Sequence, residues 1–248
     1  VEENKEMIIS CIDIETIPDQ NIPPECIPTL DLDDIKYGNT KDPIKRQAIV
    51  DEKKSDFEAS KTKSMSVTPG LAQVCTFVGM KYDTNSQEVL DKKSIQVTKE
   101  YNGDDLELVT DGWDFIRKAY MERSPLVSFN GIGFDLPIMW HRAMIQDVPV
   151  ESSMYERLTP RFGGFYHYDL LGILAGWTLD KMKGKNLNFF LHRFKIGSKT
   201  EGIDGSEVYK EWQLGNYQKI QEYCEQDVLM TCKLFTRVSP WIEKKREE

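Results

Sequence analysis

No stretch of this 248-residue sequence is apolar enough to cross a membrane. The longest run without a charged residue, Ser64 to Met80, carries Pro69, Gly70 and Gln73. It falls short of the ~20 apolar residues that a spanning helix needs. No cationic opening followed by an apolar run is visible, so a secretory leader is not expected. Histidine is scarce: His141, His167 and His192 form no His-x-x-x-His pair, which leaves a zinc site without support. The five cysteines are odd in number and include no Cys-x-x-Cys pair. A disulfide framework is therefore not expected, and a reducing, cytoplasmic compartment is. No internal repeat occurs.

What remains is ordinary globular material: 40% hydrophobic, 29% charged and 10% aromatic residues. A chain of this length can bury roughly 70–75% of its unfolded surface, so a core needs no covalent staples. One α/β domain spanning 1–248, with a surface insertion, fits best. Met7–Glu15 ("MIISCIDIE") reads as a strand buried on both faces. Four prolines between Thr16 and Pro28 then forbid regular structure. Residues 31–66 hold eight acidic and eight basic side chains and little core material. They read as a charged surface insertion with a short helix over Pro43–Ser60. Strands are expected at Leu71–Asp83, Ser94–Tyr101 and in "PLVSFNG". Helices are expected at Asp111–Arg123, Asp135–Gln146, Asn186–Phe194 and Asn216–Val238. Periodicity leaves Tyr166–Gly176 open between strand and helix. Strands first and helices later, with one strand–helix crossover, point to a mixed sheet flanked by helices.

The net charge of −9 speaks against a polyanionic partner, but its distribution does not. Lys181, Lys183, Lys185, Arg193, Lys195 and Lys199 fall in one run without an acid. Phe189, Phe190 and Phe194 interleave with them, a combination that suits single-strand binding. Leu187, Phe190, Leu191 and Phe194 also follow helical core spacing, so the phenylalanines are read mainly as core and the charges as functional.

Three acidic signals stand out. Asp13 and Glu15 share one face of the first strand with Ile9 and Cys11, at its carboxyl end. Two like charges so placed call for a cation or a raised pKa; the alternative is a strand end emerging into water. Asp135 follows a glycine-containing turn and opens a helix, where it is equally an N-cap. Tyr223 and Asp227 lie four apart on one helical face, with Asp227 within the core stripe; the alternative is an edge carboxylate paired to an arginine. Asp169 reads as a structural hydrogen-bonding group, and His141 and His167 as satisfied histidines. The chemistry that needs four carboxylates from three distant segments is metal-assisted phosphodiester hydrolysis, because carboxylates suit Mg²⁺ or Mn²⁺.

The order "DIE", "FNG-x-x-FD-x-P", "Y-x-x-x-D" closely resembles the three motifs of the DEDDy 3′→5′ exonucleases. It is nearest to the proofreading exonuclease domain of family B DNA polymerases and to stand-alone proteins related to it. The resemblance runs from Met7 to Phe235, and the 31–66 insertion has no counterpart in it. It implies a ribonuclease H-like (DnaQ-like) α/β fold and hydrolysis at the 3′ end of single-stranded DNA, releasing nucleoside 5′-monophosphates. Asp13, Glu15, Asp135 and Asp227 would hold two divalent ions, Mg²⁺ or Mn²⁺, and Tyr223 would position the attacking water. Asn130 and Phe134 would lie at the terminal nucleotide, and Lys181, Lys183 and Lys185 would draw in the strand. A 3′→5′ exoribonuclease is the alternative enzyme, and an inactive module that grips nucleic-acid 3′ ends is the alternative from another class. No membrane partner is expected.

Overall fold

The structure is a computed structural model that describes residues 7–101, 104–160, 166–178, 186–198 and 203–242. Lys181, Lys183, Lys185 and Lys199 lie outside the described residues. Strand β1 (Ile8–Pro18) is buried along almost its whole length. It continues past Glu15, where the sequence predicts its end. Thr16 and Ile17 still pair with the next strand, and Pro18 takes the last position, where a missing N–H costs little.

Strand β2 (Ala72–Asp83) runs antiparallel to β1, and β3 (Glu88–Gln96) antiparallel to β2. The expected strand at Ser94–Tyr101 is displaced: β3 begins at Glu88, and Lys99–Tyr101 is a 3-10 turn. Glu88–Lys93 is exposed, so its charges hid the alternation that marks a half-buried strand. Short strands β4 (Leu126–Ser128) and β5 (His167–Asp169) add in parallel on the other side of β1. Among the described residues the sheet order is β3-β2-β1-β4-β5.

Helices cover both faces. Helices α2 (Leu106–Met121) and α3 (Asp135–Ile145) pack Trp113, Ile116 and Met139 against Ile12, Ile14 and Phe77, with α4 (Ser152–Leu158) at their margin. Helix α5 (Leu170–Ala175), α6 (Leu187–Arg193) and α8 (Tyr217–Ile242) cover Ile9, Cys11, Val78 and Met80 on the other face. The short α7 (Val208–Gln213) packs with the start of α8 on Ile17 and Cys75. The ambiguous segment 166–176 is thus strand, then helix, closed by Gly176 in the left-handed region. All five cysteines are free. Among the described residues no helix is long and apolar enough to cross a membrane.

Helix α1 (Pro43–Val67) runs on past Ser60 and stops just ahead of Pro69, as the restriction on residues preceding proline requires. Met65 is its one residue described as buried, and Thr16 Oγ1 donates to the Ser66 carbonyl at 2.5 Å. Helix α2 starts ahead of the expected Asp111. Asp105 makes no side-chain N-cap bond there, because its carboxylate is engaged elsewhere. Arg142, 2% exposed, grips Asp105 in a bidentate pair at 2.6 and 2.7 Å and Asp19 at 2.5 Å. A buried guanidinium is tolerable only with such partners. The triad ties the far end of α3 to the residue that follows β1.

Candidate active site

From β1 the chain passes first to β2 and β3 on one side, then crosses through α2 to β4 on the other. The sheet therefore changes winding direction between β1 and β4, the topological position at which α/β sheets commonly bind ligands. Side-chain alternation turns Asp13 and Glu15 toward α8, the side on which Ile9 and Cys11 pack. One ligand atom each from Asp13, Glu15 and Cys224 lies within 4.8 Å of the others.

Asp135 comes from the opposite layer. Its Oδ1 accepts from the Ile14 N–H at 3.1 Å, and its carboxyl group is hydrogen-bonded to Asp13. Burial, reinforced by the negative charge of Asp169, pushes the Asp135 pKa up to about 7, while the Asp13 contact and the N–H groups of Asp135 and Ile14 pull the other way. The N-cap position itself belongs to Phe134, not Asp135. The carboxylate is thus aimed at β1 rather than spent on capping its own helix.

The loop that delivers Asp135 is held by two residues. Asp169 Oδ1 accepts from the Asn130 N–H (3.0 Å) and Gly172 N–H (3.2 Å), and Oδ2 from the Ile132 N–H (2.9 Å). His167 Nδ1 lies 2.6 Å from the Leu158 carbonyl and Nε2 2.8 Å from Ser128 Oγ, which in turn accepts from the Gly131 N–H at 3.1 Å. Burial lowers the His167 pKa, so the ring is neutral, donating through Nδ1 and accepting through Nε2. A Cβ at Gly131 would meet Ser128 Oγ at 2.2 Å, which is why only glycine fits. This bracing was partly visible in advance, since Asp169 and His167 read as structural. The Asp19–Arg142–Asp105 triad was not, because nothing local pairs residues so far apart in sequence.

On α8 the buried stripe runs through Ile220, Cys224, Val228 and Thr231. Asp227 and Tyr223 sit beside it, half-buried, rather than within it as the spacing predicts. Burial raises the Tyr223 pKa, and the negative charges of Asp227, Glu15, Asp13 and Asp204 raise it further. One phenol thus senses carboxylates from β1, α8 and the turn at Asp204. A Cβ on Gly205 would lie 3.9 Å from the Tyr223 hydroxyl, so that turn walls the site. Asp204 entered no sequence reading, because its capping box with Glu207 resembles that of any helix start.

Cys224 Sγ is 3.6 Å from Asp13 Oδ2, and burial together with Asp13 and Glu15 raises its pKa. The thiol stays protonated and donates to Asp13. The donor set presented to a cation is therefore oxygen, which suits a hard divalent ion. Asp13 and Glu15 lie together, Asp135 is hydrogen-bonded to Asp13 and pushed up to about 7, and Asp227 acts on the same Tyr223, so an ion placed there would relieve concentrated negative charge.

Among the expected substrate contacts, Asn130 has φ 75° in the loop before Asp135, and Phe134 packs partly into the α2–α3 core. Of the three phenylalanines in the basic segment, Phe190 is core, Phe194 is half-buried and Phe189 is 46% exposed.

A family model described as "Predicted 3′-5′ exonuclease related to the exonuclease domain of PolB" matches residues 70–244. The match contains Asp135, Tyr223 and Asp227 and begins after Asp13 and Glu15. No curated protein matches the chain. The fold is similar to the structure of the family B DNA polymerase from the hyperthermophilic archaeon Pyrobaculum calidifontis, with a TM-score of 0.55 and 17% identity over 94% of this chain. At that identity the likeness is one of fold, the ribonuclease H-like α/β architecture. The chain covers 25% of that polymerase's length.

Proposed function

The chain belongs to the family of predicted 3′-5′ exonucleases related to the exonuclease domain of PolB, and from that premise we propose that it hydrolyses single-stranded DNA from the 3′ end with two divalent ions, Mg²⁺ or Mn²⁺, releasing nucleoside 5′-monophosphates. The observation that carries this reading is the convergence on Tyr223 of the charges of Asp13, Glu15 and Asp227, with Asp135 hydrogen-bonded to Asp13. Asp13, Glu15, Asp135 and Asp227 would hold the ions. When bound, such a pair supplies the positive charge that activates water and stabilises the leaving oxygen.

The protein's own groups do the positioning. Tyr223 keeps its proton, because its pKa is raised, and orients the attacking water through its hydroxyl. Asn130 and Phe134 hold the terminal nucleotide from the loop that Asp169 and His167 brace. The intact set of four carboxylates and a tyrosine counts against an inactive end-binding module. Free cysteines throughout favour a reducing, cytoplasmic setting. The test is degradation of matched 5′-labelled DNA and RNA oligonucleotides with Mg²⁺ or Mn²⁺. Shortening from the 3′ end on DNA supports the reading, a preference for RNA replaces the substrate, and no shortening of either sinks the enzyme.

The strand must approach a site ringed by negative charge on a chain carrying −9. Lys181, Lys183 and Lys185 are the proposed attractors. Replacing all three by Gln is expected to weaken DNA binding. It should also flatten log K against log salt by about two units, since each phosphate contact on a single strand contributes about 0.7. A salt titration in Ca²⁺, chosen to suppress cleavage, reads this directly; parallel lines of equal affinity would exclude these lysines from the path.

The whole chain is proposed to be one exonuclease domain, with residues 31–66 as a peripheral charged insertion. The long exposed course of α1 supports this, and Met65 marks where it meets the body. Exchanging residues 36–60 for a flexible Gly/Ser linker should preserve cooperative unfolding and the cleavage of short oligonucleotides. Loss of the folded state on thermal melting would make the insertion part of the core.

A further inference from the structure

The exposed Phe189 is hard to explain as packing. It follows Leu187 on a helix whose other apolar residues, Leu187, Phe190 and Leu191, are buried. Its position is held by the N-cap, where Asn186 Oδ1 accepts from the Phe189 N–H at 2.9 Å. His192 and Arg193, three and four residues on, are exposed and occupy the same helical face. No acidic residue occurs between Lys181 and Lys199.

The ring is also connected to the catalytic edge. Phe189 meets Phe190 edge-on with centroids 5.1 Å apart, and Phe190 meets Phe129 at 5.9 Å. Phe129 follows Val127 by two residues, as Asp13 follows Cys11, and Val127 pairs with Cys11 across the parallel β1–β4 ladder. Phe129 lies in the bend just after β4 and packs against the cluster of Ile9 and Cys11, the side of the sheet to which Asp13 turns. A chain of three aromatic rings runs from the sheet face that carries Asp13 to the surface and ends in an exposed ring with His192 and Arg193 on the same face of the helix.

We propose that Phe189, with His192 and Arg193 on the same exposed face of α6, is a base-stacking platform for the DNA strand a few nucleotides on the 5′ side of the scissile bond. The proposal rests on the exonuclease reading and adds a subsite to it. A π-face accepts any base, and the adjacent Arg193 guanidinium and His192 imidazole can meet the backbone phosphates, so the platform holds the strand without reading its sequence. Charge complementarity selects the occupant: an aromatic ring beside a guanidinium, in a run without an acid, fits a nucleobase joined to phosphates.

The experiment is an abasic walk. Single-stranded DNA oligonucleotides carrying one abasic site at successive positions from the 3′ end are titrated against the protein in Ca²⁺. One internal position, or two adjacent ones, should lose about 5- to 100-fold in affinity, the range of one base–aromatic stack. Phe189→Ala should lose as much on the intact oligonucleotide and no longer sense the abasic site, whereas Phe189→Trp should retain both affinity and sensitivity. Its salt line should shift in parallel, since no charge is removed, while Arg193→Gln should flatten the slope. A walk on the parent protein with no sensitive internal position overturns the platform, whatever the variants do. So does an abasic penalty that persists in Phe189→Ala. Position-specific binding without any cleavage in Mg²⁺ or Mn²⁺ would sink the hydrolase and leave the platform standing.

Discussion

Asp13→Asn and Asp135→Asn should each lower exonuclease turnover by on the order of 10³-fold or more, and EDTA should do the same to the parent protein. The size follows from what two ions contribute to phosphodiester cleavage, several kcal/mol of charge stabilisation at about 1.4 kcal/mol per decade. Folding should survive both changes. Asp135 is 1% exposed, and Asn is its near isostere, with an oxygen still able to accept from the Ile14 N–H. The new amide N–H can donate to Asp13, the group already hydrogen-bonded to Asp135. Replacing a buried carboxylate by a neutral amide also removes the desolvation penalty that raises its pKa. In metal-free buffer the Asp135→Asn protein should therefore melt no lower than the parent. Full turnover in EDTA, or in either variant, would remove the metals from the mechanism.

Tyr223→Phe should lower kcat by about 10²–10⁴-fold, the range for one positioned acid–base group, with oligonucleotide affinity in Ca²⁺ nearly unchanged. The ring packs against the cluster that contains Ile17, Trp212 and Ile220, and phenylalanine preserves that packing. Only the hydroxyl is lost. Burial and the carboxylates of Asp227, Glu15 and Asp13 keep its proton in place, so it is available as a hydrogen-bond donor. Loss of affinity with kcat intact would make Tyr223 a nucleotide contact, and no change in either would make it a packing residue.

Which face the candidate acids take on their own elements was legible in the sequence, because it depends on local periodicity, and the exonuclease family was legible from the order of three motifs. Alternation along a strand puts Asp13 and Glu15 on one face whatever surrounds them, and a helical repeat aligns Tyr223 with Asp227. The mixed sheet with flanking helices was legible for the same reason: buried strands and amphipathic helices announce themselves by period. The edges were harder to place. The charged outer strand β3 shows no apolar alternation, and the first turn of α2 could not be recognised from Asp105, whose side chain serves Arg142 instead of the helix.

Only the tertiary structure decided how the carboxylates are held and which neighbours tune them. Asp135 could have been a simple cap, and its turn toward the Ile14 N–H depends on α3 crossing the end of β1. The Asp169 and His167 brackets, the Cys224 thiol behind Asp13 and the Asp204 turn beside Tyr223 are meetings between segments far apart in the chain. Helical spacing already left Phe189 outside the stripe of Leu187, Phe190, Leu191 and Phe194, but its exposure was decided by how α6 packs. Short-range pattern determines which face a side chain takes on its own element. What that face meets is set by the packing of elements against one another, and no local period encodes it.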